Sequence, residues 1–459
     1  MKNTTTIVAD ITNYLKNNGL ILSDLARETE MNPGTMSGII HGNRTISVDQ
    51  LDRITEAMGL SKGFYYDQYI DECLSDINPN WRRVRPFIYR CSELDRLDYI
   101  QRVVNLLLDK LAYSPLLFEL AEDFFEKGVY ATAAVLYENV AISQRKQHSE
   151  TLAICQYRLF KIGLGQDRNQ NLHVAIRFEP FIERLDEIDQ LDAIKDLANT
   201  YRSLHMWEKV KELAVLLGQK AEIQYNLNAK HRKRPSRPLF TYLAYSKLLQ
   251  AGVCDARGDY EQALDFTYAY ADLSWVKETD EETQHWVNQF SEWAQANIYV
   301  NKLLSGQVDV LMDYVDYIAP KKDEILFALY NIMVAANRYN MNVDHIIHRF
   351  EEEIKGLLQQ KPMKTYIVQT VSDHLVGLLH ELSVYYLNNQ TFPDGFKWLL
   401  DSLDFSAAAL DRSGIIKAVG LFESYRMSAP TEIKAAYQNL IKEVYKGEKE
   451  HDHDVDSSL

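Results

Sequence analysis

The sequence predicts an all-α protein, and three observations lead to this prediction. Apolar residues recur at intervals of three and four over long stretches, which is the periodicity of helices that bury one face. Runs in which apolar and polar residues alternate, as in strands, are nearly absent. The 11 prolines and 19 glycines are few for a chain of 459 residues, so few helices should be interrupted. We expect a small bundle of five helices over residues 1–70, followed by a long array of helix pairs.

Composition and charge narrow the possible functions. Hydrophobic residues make up 46% of the chain and charged residues 25%, a balance typical of a folded protein. The formal net charge of −15 disfavours a protein that coats nucleic acid or an anionic membrane, so any DNA contact has to be local. Residues 1–19 lack the apolar core of a secretion signal, and no segment has the roughly 20 apolar residues that crossing a bilayer requires.

The cysteines favour a reducing compartment. They are scattered without a CxxC pair, which is typical of free thiols rather than of a disulfide framework or a zinc site. Their positions are Cys73, Cys91, Cys155 and Cys254. We therefore predict a cytoplasmic protein with no membrane partner and no cofactor.

Two short helices are expected at the start of the chain. The first covers Thr4–Asn18 and ends at Gly19. Ser23 is expected to cap the second, because a serine hydroxyl can accept a hydrogen bond from a free N–H group of the first helical turn. The positions expected to face inward are Ile7, Ile11, Tyr14, Leu15, Leu25 and Ala26.

Two further helices have clear start signals. Asn32 can cap the third helix, and Pro33 then occupies the first helical position, where its missing N–H has no consequence. Ser47 can cap a fourth helix over Val48–Met58, whose inward positions are Leu51, Ile54 and Met58. Glycines suited to end these two helices follow them, at Gly42 and Gly59.

The chain beyond residue 110 contains a repeated pattern of two helices. The first copy has Leu117, Leu120, Ala121, Phe124, Tyr130, Ala133, Tyr137 and Val140. The second copy has identical offsets, with Ile194, Leu197, Ala198, Tyr201, Trp207, Val210, Ala214 and Leu217. A partial third copy has Ala251, Gly258, Tyr260, Ala263 and Tyr270.

This pattern resembles the tetratricopeptide repeat, of which "GDYEQAL" at 258–264 is a typical fragment. The resemblance implies an α-solenoid of tetratricopeptide-like repeats with a concave binding surface, since no helix pair buries its apolar face alone. We expect this repeat domain over 111–446, with degenerate copies after 283, and connecting helices over 71–110. The segment 226–238 should be irregular because of its prolines and like charges, and the acidic tail 447–459 should be disordered.

Residues 22–60 resemble the helix-turn-helix domain of phage repressors and related bacterial regulators. The matching positions are Leu25, Ala26, Met31, Met36, Ile39, Gly42, Ser47, Leu51 and Ile54. In that domain the N-terminal part of the third helix enters the major groove of DNA, and neighbouring helix ends contact phosphates. The resemblance therefore implies a DNA-binding domain over 1–70, with contacts from Asn32, Pro33, Gly34, Thr35, Ser37, Gly38, His41, Asn43, Arg44 and Thr45.

The positions placed against the base edges carry few hydrogen-bonding groups. Pro33, Gly34 and Gly38 have no side-chain donor or acceptor, so the bidentate contacts worth about 1–3 kcal/mol each cannot form there. Thr35 and Ser37 remain as readers, while His41 and Arg44 are better placed for phosphates. We call the DNA-binding domain of one chain a head. A single head is expected to bind weakly, with a selectivity that depends on DNA shape or on close approach of the DNA backbone. Two heads in a homodimer would then bind a palindromic operator in double-stranded DNA.

Two basic segments have two interpretations each. Arg82, Arg83 and Arg85 either contact phosphates or pair with acidic residues of the first repeats, and the negative net charge favours pairing. A second cluster either binds a partner or forms a solvated loop, which is the favoured interpretation. It comprises Lys230, Arg232, Lys233, Arg234 and Arg237.

The repeat domain contains candidate residues for peptide binding. An asparagine amide can satisfy both the N–H and the C=O of an extended peptide, and tyrosine adds apolar area with a polar tip. The sequence has 28 tyrosines. Such residues also commonly belong to the core, so both interpretations stay open. The candidates are Asn199, Arg202, Asn297, Asn331 and Asn337.

No catalytic motif is recognised in the sequence. His345, His348 and Glu352 share a helix face, but the HExxH order of zinc peptidases is absent, so a metal site is not expected. Glycine-rich phosphate loops and GxSxG elbows are also missing. We do not expect an enzyme.

A repressor-type head followed by repeats resembles the peptide-responsive quorum-sensing regulators of Gram-positive bacteria, often called the RRNPP family. The head and the first three repeats carry the resemblance, over about half of the chain. It implies a cytosolic homodimeric transcription regulator whose repeats bind a short oligopeptide and thereby change the placement of two DNA-binding heads. Two alternatives remain, a helix-turn-helix regulator controlled by a protein partner, and a repeat scaffold that sequesters a signalling protein.

Overall fold

The computed structural model describes residues 6–75, 79–108, 110–144, 149–227, 233–359, 366–409 and 411–456. Within these ranges the regular structure is helical throughout, with 24 α-helices, as the sequence predicts. None of the described helices has an apolar stretch long enough to cross a bilayer. The chain divides into two units, Met1–Gly163 with Ile176–Asp186, and Leu164–Ala175 with Glu187–Leu459.

The first unit contains ten complete α-helices within its described residues. Short turns of other helix types lie at Ile70–Leu74, Leu111–Tyr113 and Glu179–Arg184. The α-helices are α1 (Ile7–Asn18), α2 (Leu22–Glu28), α3 (Pro33–Ile40), α4 (Val48–Ala57), α5 (Tyr66–Tyr69), α6 (Trp81–Glu93), α7 (Leu97–Leu108), α8 (Ser114–Glu126), α9 (Tyr130–Ser143) and α10 (Glu150–Gly163). Helix α11 (Arg168–Phe178) crosses the division between the units.

The second unit continues the series of helices. They are α12 (Glu187–Ser203), α13 (Trp207–Asn226), α14 (Leu239–Ala256), α15 (Tyr260–Ala271), α16 (Glu281–Leu304), α17 (Leu311–Ile318), α18 (Ile325–Tyr339), α19 (Asp344–Arg349), α20 (Glu351–Gln359), α21 (Tyr366–Asn388), α22 (Phe392–Ala408), α23 (Arg412–Tyr425) and α24 (Thr431–Asp456). From α12 to α16 each helix packs on the next. Helices that are not consecutive in the chain also touch, α14 with α16, α16 with α18, α18 with α21, and α21 with α23.

Most helix ends in the first 60 residues follow the sequence predictions, but α1 begins at Ile7, after the cap residue Thr6, rather than at Thr4. Asn32 and Ser47 cap α3 and α4 through their side chains, and Gly19, Gly42 and Gly59 adopt positive φ just after the helices that they end. The prediction that Ser23 caps α2 is wrong. Helix α2 begins at Leu22, and the Asp24 carboxylate accepts from the backbone N–H of Ile21 at 3.1 Å. A charged carboxylate accepts more strongly than a hydroxyl and suits a helix N-terminus.

The five short helices enclose an apolar core. The buried side chains include Ile7, Ile11, Leu15, Leu25, Ala26, Met36, Ile39, Leu51 and Ile54. Tyr14 is only half-buried, and its hydroxyl donates to the carbonyl of Ala57 at 3.1 Å. This core orients α3 with Met36 and Ile39 inward, so the opposite face of α3 points to solvent.

Helices α4 and α5 are joined to α6 by a buried polar cluster. The Nε of Arg90 on α6 lies 2.6 Å from a carboxylate oxygen of Asp52 on α4, whose side chain is only 5% exposed. The hydroxyl of Tyr66 on α5 donates to the same carboxylate at 3.1 Å. The Tyr66 ring packs at 5.0 Å from the ring of Phe87 on α6. We call Asp52, Tyr66, Phe87 and Arg90 the junction cluster.

One turn geometry recurs between paired helices. In each turn, a residue with positive φ lies two positions before the first residue of the next helix. The residue after it donates its backbone N–H to the carbonyl of the residue five positions earlier in the chain. This bonding ends the first helix and directs the chain into an antiparallel partner. The turns are centred on Asp95, Gly128, His205, Gly258, Gly306 and Gln390.

Three of these turns lie in the copies predicted from the sequence, at Gly128, His205 and Gly258. Tyr130, Trp207 and Tyr260 begin the second helices of these pairs, as the shared offsets indicated. The other three turns extend the helix-pair pattern to α6–α7 and to the region after 283.

Two irregular segments were predicted. In 226–238, residues 233–238 are irregular as expected, Asn226 ends α13, and 228–232 lie outside the described residues. The prediction of a disordered tail over 447–459 is wrong up to Asp456, because α24 continues to that residue. Glutamate and lysine in "GEKE" are good helix formers, and no proline interrupts the segment.

Candidate functional site

The start of α3 is fixed by the asparagine–proline pair. The side-chain Oδ1 of Asn32 accepts from the backbone N–H of Gly34 at 2.8 Å. Pro33 follows at the first helical position, where its φ suits a helix. The N-terminal turn of α3 therefore has a defined position on the bundle before any ligand binds.

The ten residues predicted to contact DNA form a continuous solvent-accessible segment. Thr35, Ser37 and Gly38 are half-buried, and the others are exposed. The exposed members are Asn32, Pro33, Gly34, His41, Asn43, Arg44 and Thr45. We call residues 32–45, without the inward side chains, the α3 face.

Both predicted base-reading hydroxyls have partners within the α3 face. A guanidinium nitrogen of Arg44 donates to Oγ1 of Thr35 at 3.1 Å. Nδ1 of His41 lies 2.8 Å from the carbonyl of Ser37 and 3.3 Å from its hydroxyl. These contacts restrict the side chains, while each hydroxyl oxygen keeps further capacity for a hydrogen bond.

Local packing explains part of the need for glycine on this face. A Cβ on Gly38 would lie 3.3 Å from Cβ of Arg44, and a Cβ on Gly34 would lie 3.1 Å from Oδ1 of Asn32. Both distances are tight contacts. The two glycines therefore allow the cap and the 41–45 loop to pack closely, in addition to any approach of DNA that they permit.

Charge on the first 70 residues is small and local. The segment has six lysines and arginines and eight aspartates and glutamates. Three of the basic side chains pair with carboxylates, Arg27 with Asp24, Arg53 with Asp49, and Lys62 with Glu56. Arg44 instead bonds a neutral hydroxyl, so its positive charge stays available for an anion.

One arginine of the cluster at 82–85 lies near acidic residues of α8. Arg85 lies over the ring of Tyr89 at 5.7 Å. Its pKa is raised, first by the Tyr89 hydroxyl and further by the charges of Asp123 and Glu119 on α8. This position agrees with the favoured interpretation that the cluster faces acidic residues. Arg82 is exposed.

The described part of the basic loop makes local contacts. Lys233 pairs with Asp189, and the Arg237 guanidinium lies 4.3 Å from the centre of the Trp286 ring. Lys230 and Arg232 lie outside the described residues.

The asparagines predicted to bind peptide all lie between helices of the second unit. Each hydrogen-bonds a side chain of another helix: Asn199 to Tyr245 at 2.7 Å, Asn297 to Tyr270 at 2.7 Å, Asn331 to Tyr314, and Asn337 to Glu381 at 2.7 Å. Each amide therefore contributes to helix packing and has only part of its capacity left for a ligand. Arg202, the fifth candidate, is exposed on α12.

Sequence reasoning missed the polar residues Asp255 and Arg338. They lie near the C-terminal ends of α14 and α18, and both side chains are exposed. Their charges interact, since Arg338 lowers the pKa of Asp255 against a larger opposite effect of burial.

No group of three metal-ligating side chains occurs among the described residues. His345 and His348 lie on α19 and Glu352 on α20, so the three do not share one helix as expected; His348 lies 3.4 Å from Glu351 at the start of α20.

Comparison with models of known protein families gives no match. Comparison with curated proteins gives no match either. The function has to be inferred from the residues themselves and from the resemblance of their motifs.

Proposed function

We propose that this protein is a DNA-binding transcription regulator whose helix pairs sense a short peptide and control a pair of DNA-binding heads. The observation that carries the proposal is the α3 face. It combines a capped helix start, a buried inner side and an outer side of small or polar residues that solvent reaches. A helix can enter the major groove only if it presents such an unobstructed face.

Weak binding by a single head follows from the same face. Arg44 is its one lysine or arginine, and the base-reading positions offer only two hydroxyls. A homodimer compensates, because the second head binds at a high effective concentration once the first is bound. The two half-sites should then lie about 34 Å apart or a multiple of it.

The proposed DNA contact can be tested with a charge-matched pair of variants. Duplexes selected from a random pool by the full-length protein are used in gel-shift titrations at several salt concentrations. Arg44→Glu should weaken binding about tenfold or more and reduce its salt dependence, because a phosphate contact becomes a repulsion. Lys442→Glu on α24 changes the charge equally and should leave affinity unchanged. Equal effects of both substitutions, or no selected duplex, would contradict the proposal.

Peptide sensing needs a separate test. The helix pairs of the second unit touch through helices that are not consecutive in the chain, an arrangement that supports a continuous ligand surface. Peptides encoded by a small reading frame beside the gene should raise the melting temperature of the protein and change its DNA affinity. Reciprocity requires that DNA then changes peptide affinity by the same factor. Absence of both effects across that set would exclude control by these peptides.

A protein partner is the second candidate ligand. The observation that favours it is that four candidate asparagines already hydrogen-bond other helices, which leaves less of each amide for a peptide. A regulator controlled by a protein would still select DNA, whereas a sequestering scaffold with a vestigial head would not. The gel-shift experiment separates these two.

A further inference from the structure

An ion pair in the second unit joins two distant parts of the helix series. Nη2 of Arg168 on α11 donates to Oδ2 of Asp373 on α21 at 2.7 Å, across 205 positions of the sequence. The hydrogen bond between Tyr245 and Asn199, which joins neighbouring helix pairs, spans only 46 positions. The contact between Arg168 and Asp373 therefore closes the series of helices from α11 to α21, and we call this ion pair the clasp.

The arginine of the clasp belongs to a segment with a particular place in the fold. Residues 164–175 belong to the second unit, although the chain directly before and after them belongs to the first. The fully buried Asn171 bonds to Gly165 in both directions, since its Oδ1 accepts from the backbone N–H at 2.8 Å and its Nδ2 donates to the carbonyl at 2.9 Å. These local bonds shape the loop before α11, so Arg168 is presented at a defined position.

The clasp combines an attraction with two opposing effects. Arg168 is the first residue of α11, where the helix dipole disfavours a positive charge. Burial raises the pKa of the Asp373 carboxyl against the opposing charges of Arg168 and His205. The two side chains remain 41% and 29% exposed. An ion pair of this kind contributes little net stability, so a modest change in its surroundings can open it without unfolding either helix.

We infer that the clasp holds the helix series of the second unit in a closed curvature and that its opening is a conformational switch. In an array of helix pairs each pair contacts mainly its neighbours, so a contact between distant pairs limits the bending of the array. Helix α11 carries Arg168 at its start and belongs to the first unit from Ile176 to Phe178. A change of curvature at the clasp would therefore reach the unit that carries the α3 face through one continuous helix.

Charge reversal tests the clasp in the full-length protein. Arg168→Glu places two carboxylates together, so the radius of gyration measured by small-angle scattering at constant molecular mass should increase by roughly 1 Å or more. The swap of Arg168→Glu with Asp373→Arg should restore the radius. Arg349→Glu is the matched control, because it breaks a pair with Asp316 that spans only 33 positions, and it should leave the radius unchanged. An unchanged radius in Arg168→Glu, or a swap that does not restore it, would overturn the clasp.

A milder variant tests the contact itself, should Arg168→Glu fail to fold. Arg168→Lys keeps the positive charge and supplies an amine, which a water-soluble carbodiimide joins to a touching carboxylate as an amide with loss of water. Mass spectrometry of the digested protein should find residue 168 linked to Asp373, and adding Asp373→Asn should abolish this link. Arg349→Lys should link to Asp316 in the same way. A link in this control without a link from residue 168 to Asp373 would overturn the clasp.

Transmission from the clasp to the heads rests on the proposed function, whereas the clasp itself does not. In gel shifts with the selected duplexes, Arg168→Glu should change DNA affinity about threefold or more, and the swap should restore it. Arg349→Glu should leave the affinity unchanged. A changed radius with unchanged DNA affinity would overturn transmission through α11 and leave DNA binding intact. A changed radius in a protein that selects no duplex would overturn the proposed function and leave the clasp.

Discussion

The polar groups on two sides of the N-terminal bundle differ in burial and in how fully they are hydrogen-bonded. On the α3 face the polar side chains are accessible, and those with partners bond near neighbours in sequence without using all their capacity, as Arg44 does with Thr35. On the side of the junction cluster, Asp52 is almost fully buried and depends on Arg90 and Tyr66. A surface that binds a ligand must leave capacity unused, whereas a surface that joins helices must use it fully. The difference indicates where substitution should affect function and where it should affect stability.

The largest expected effect is on the junction cluster. Arg90→Met removes the cation and leaves the Asp52 carboxylate buried without its charge partner, so the free energy of unfolding should fall by about 3 kcal/mol. Urea unfolding of the full chain measures the loss. Arg53→Met is the matched control on α4, because Arg53 forms an exposed pair with Asp49, and it should lose less than about 1 kcal/mol. Equal losses would mean that the junction cluster is no stronger than a surface pair.

The next effect concerns the Tyr66 hydroxyl. Tyr66→Phe removes a buried donor to a charged carboxylate and should lower the free energy of unfolding by about 2 kcal/mol. Tyr14→Phe removes a half-buried hydroxyl bonded to a neutral carbonyl and should lose about 1 kcal/mol. Thermal unfolding of both variants compares them. A larger loss of stability for Tyr14→Phe than for Tyr66→Phe would contradict the dominant role of the junction cluster.

A smaller effect is expected at the cap of α3. Asn32→Ala removes the acceptor for the Gly34 N–H and should destabilise the bundle by about 1 kcal/mol. Hydrogen exchange of the Gly34 amide should accelerate at the same time. Asn43→Ala in the exposed loop removes no described hydrogen bond and should change stability by less than about 0.5 kcal/mol. Unchanged exchange at Gly34 would show that the cap does not hold the helix start.

The smallest effect on stability and a distinct effect on DNA binding are expected at Gly38. Alanine gains up to about 1 kcal/mol of helix propensity, which the contact with Arg44 Cβ offsets, so stability should change by less than about 0.5 kcal/mol. If the DNA backbone approaches this point, Gly38→Ala should still weaken binding at least fivefold in gel shifts. Unchanged affinity would assign the glycine to local packing alone.

Short-range features of the fold could be predicted from the sequence. Asn32 followed by Pro33 defines a helix start because both effects act within three residues. The same local reasoning was wrong for Ser23. The neighbouring Asp24 carboxylate, which carries a full charge, accepts the hydrogen bond at the N-terminus of α2 instead. Element type was therefore easier to predict than the residue that performs a given role.

Long-range pairings could not be predicted in this way. Asp52 and Arg90 are separated by 38 positions, and nothing in either local pattern indicates the other. Asn199 and its equivalents were predicted to serve a ligand, yet each hydrogen-bonds a residue on another helix. Tyr245, the partner of Asn199, is 46 positions away. The later helix pairs were predicted only as degenerate copies because their apolar offsets differ, although Gly306 retains the turn.

The recurring turns also contain positions where substitution by glycine should raise stability. Asp95, His205 and Gln390 adopt positive φ at positions where Gly128, Gly258 and Gly306 serve the other pairs. A side chain with a Cβ in this conformation carries about 1 kcal/mol of steric strain that glycine lacks. Three replacements by glycine, remote in sequence from the α3 face, therefore offer a route to a more thermostable form of this protein for crystallisation or biosensor use.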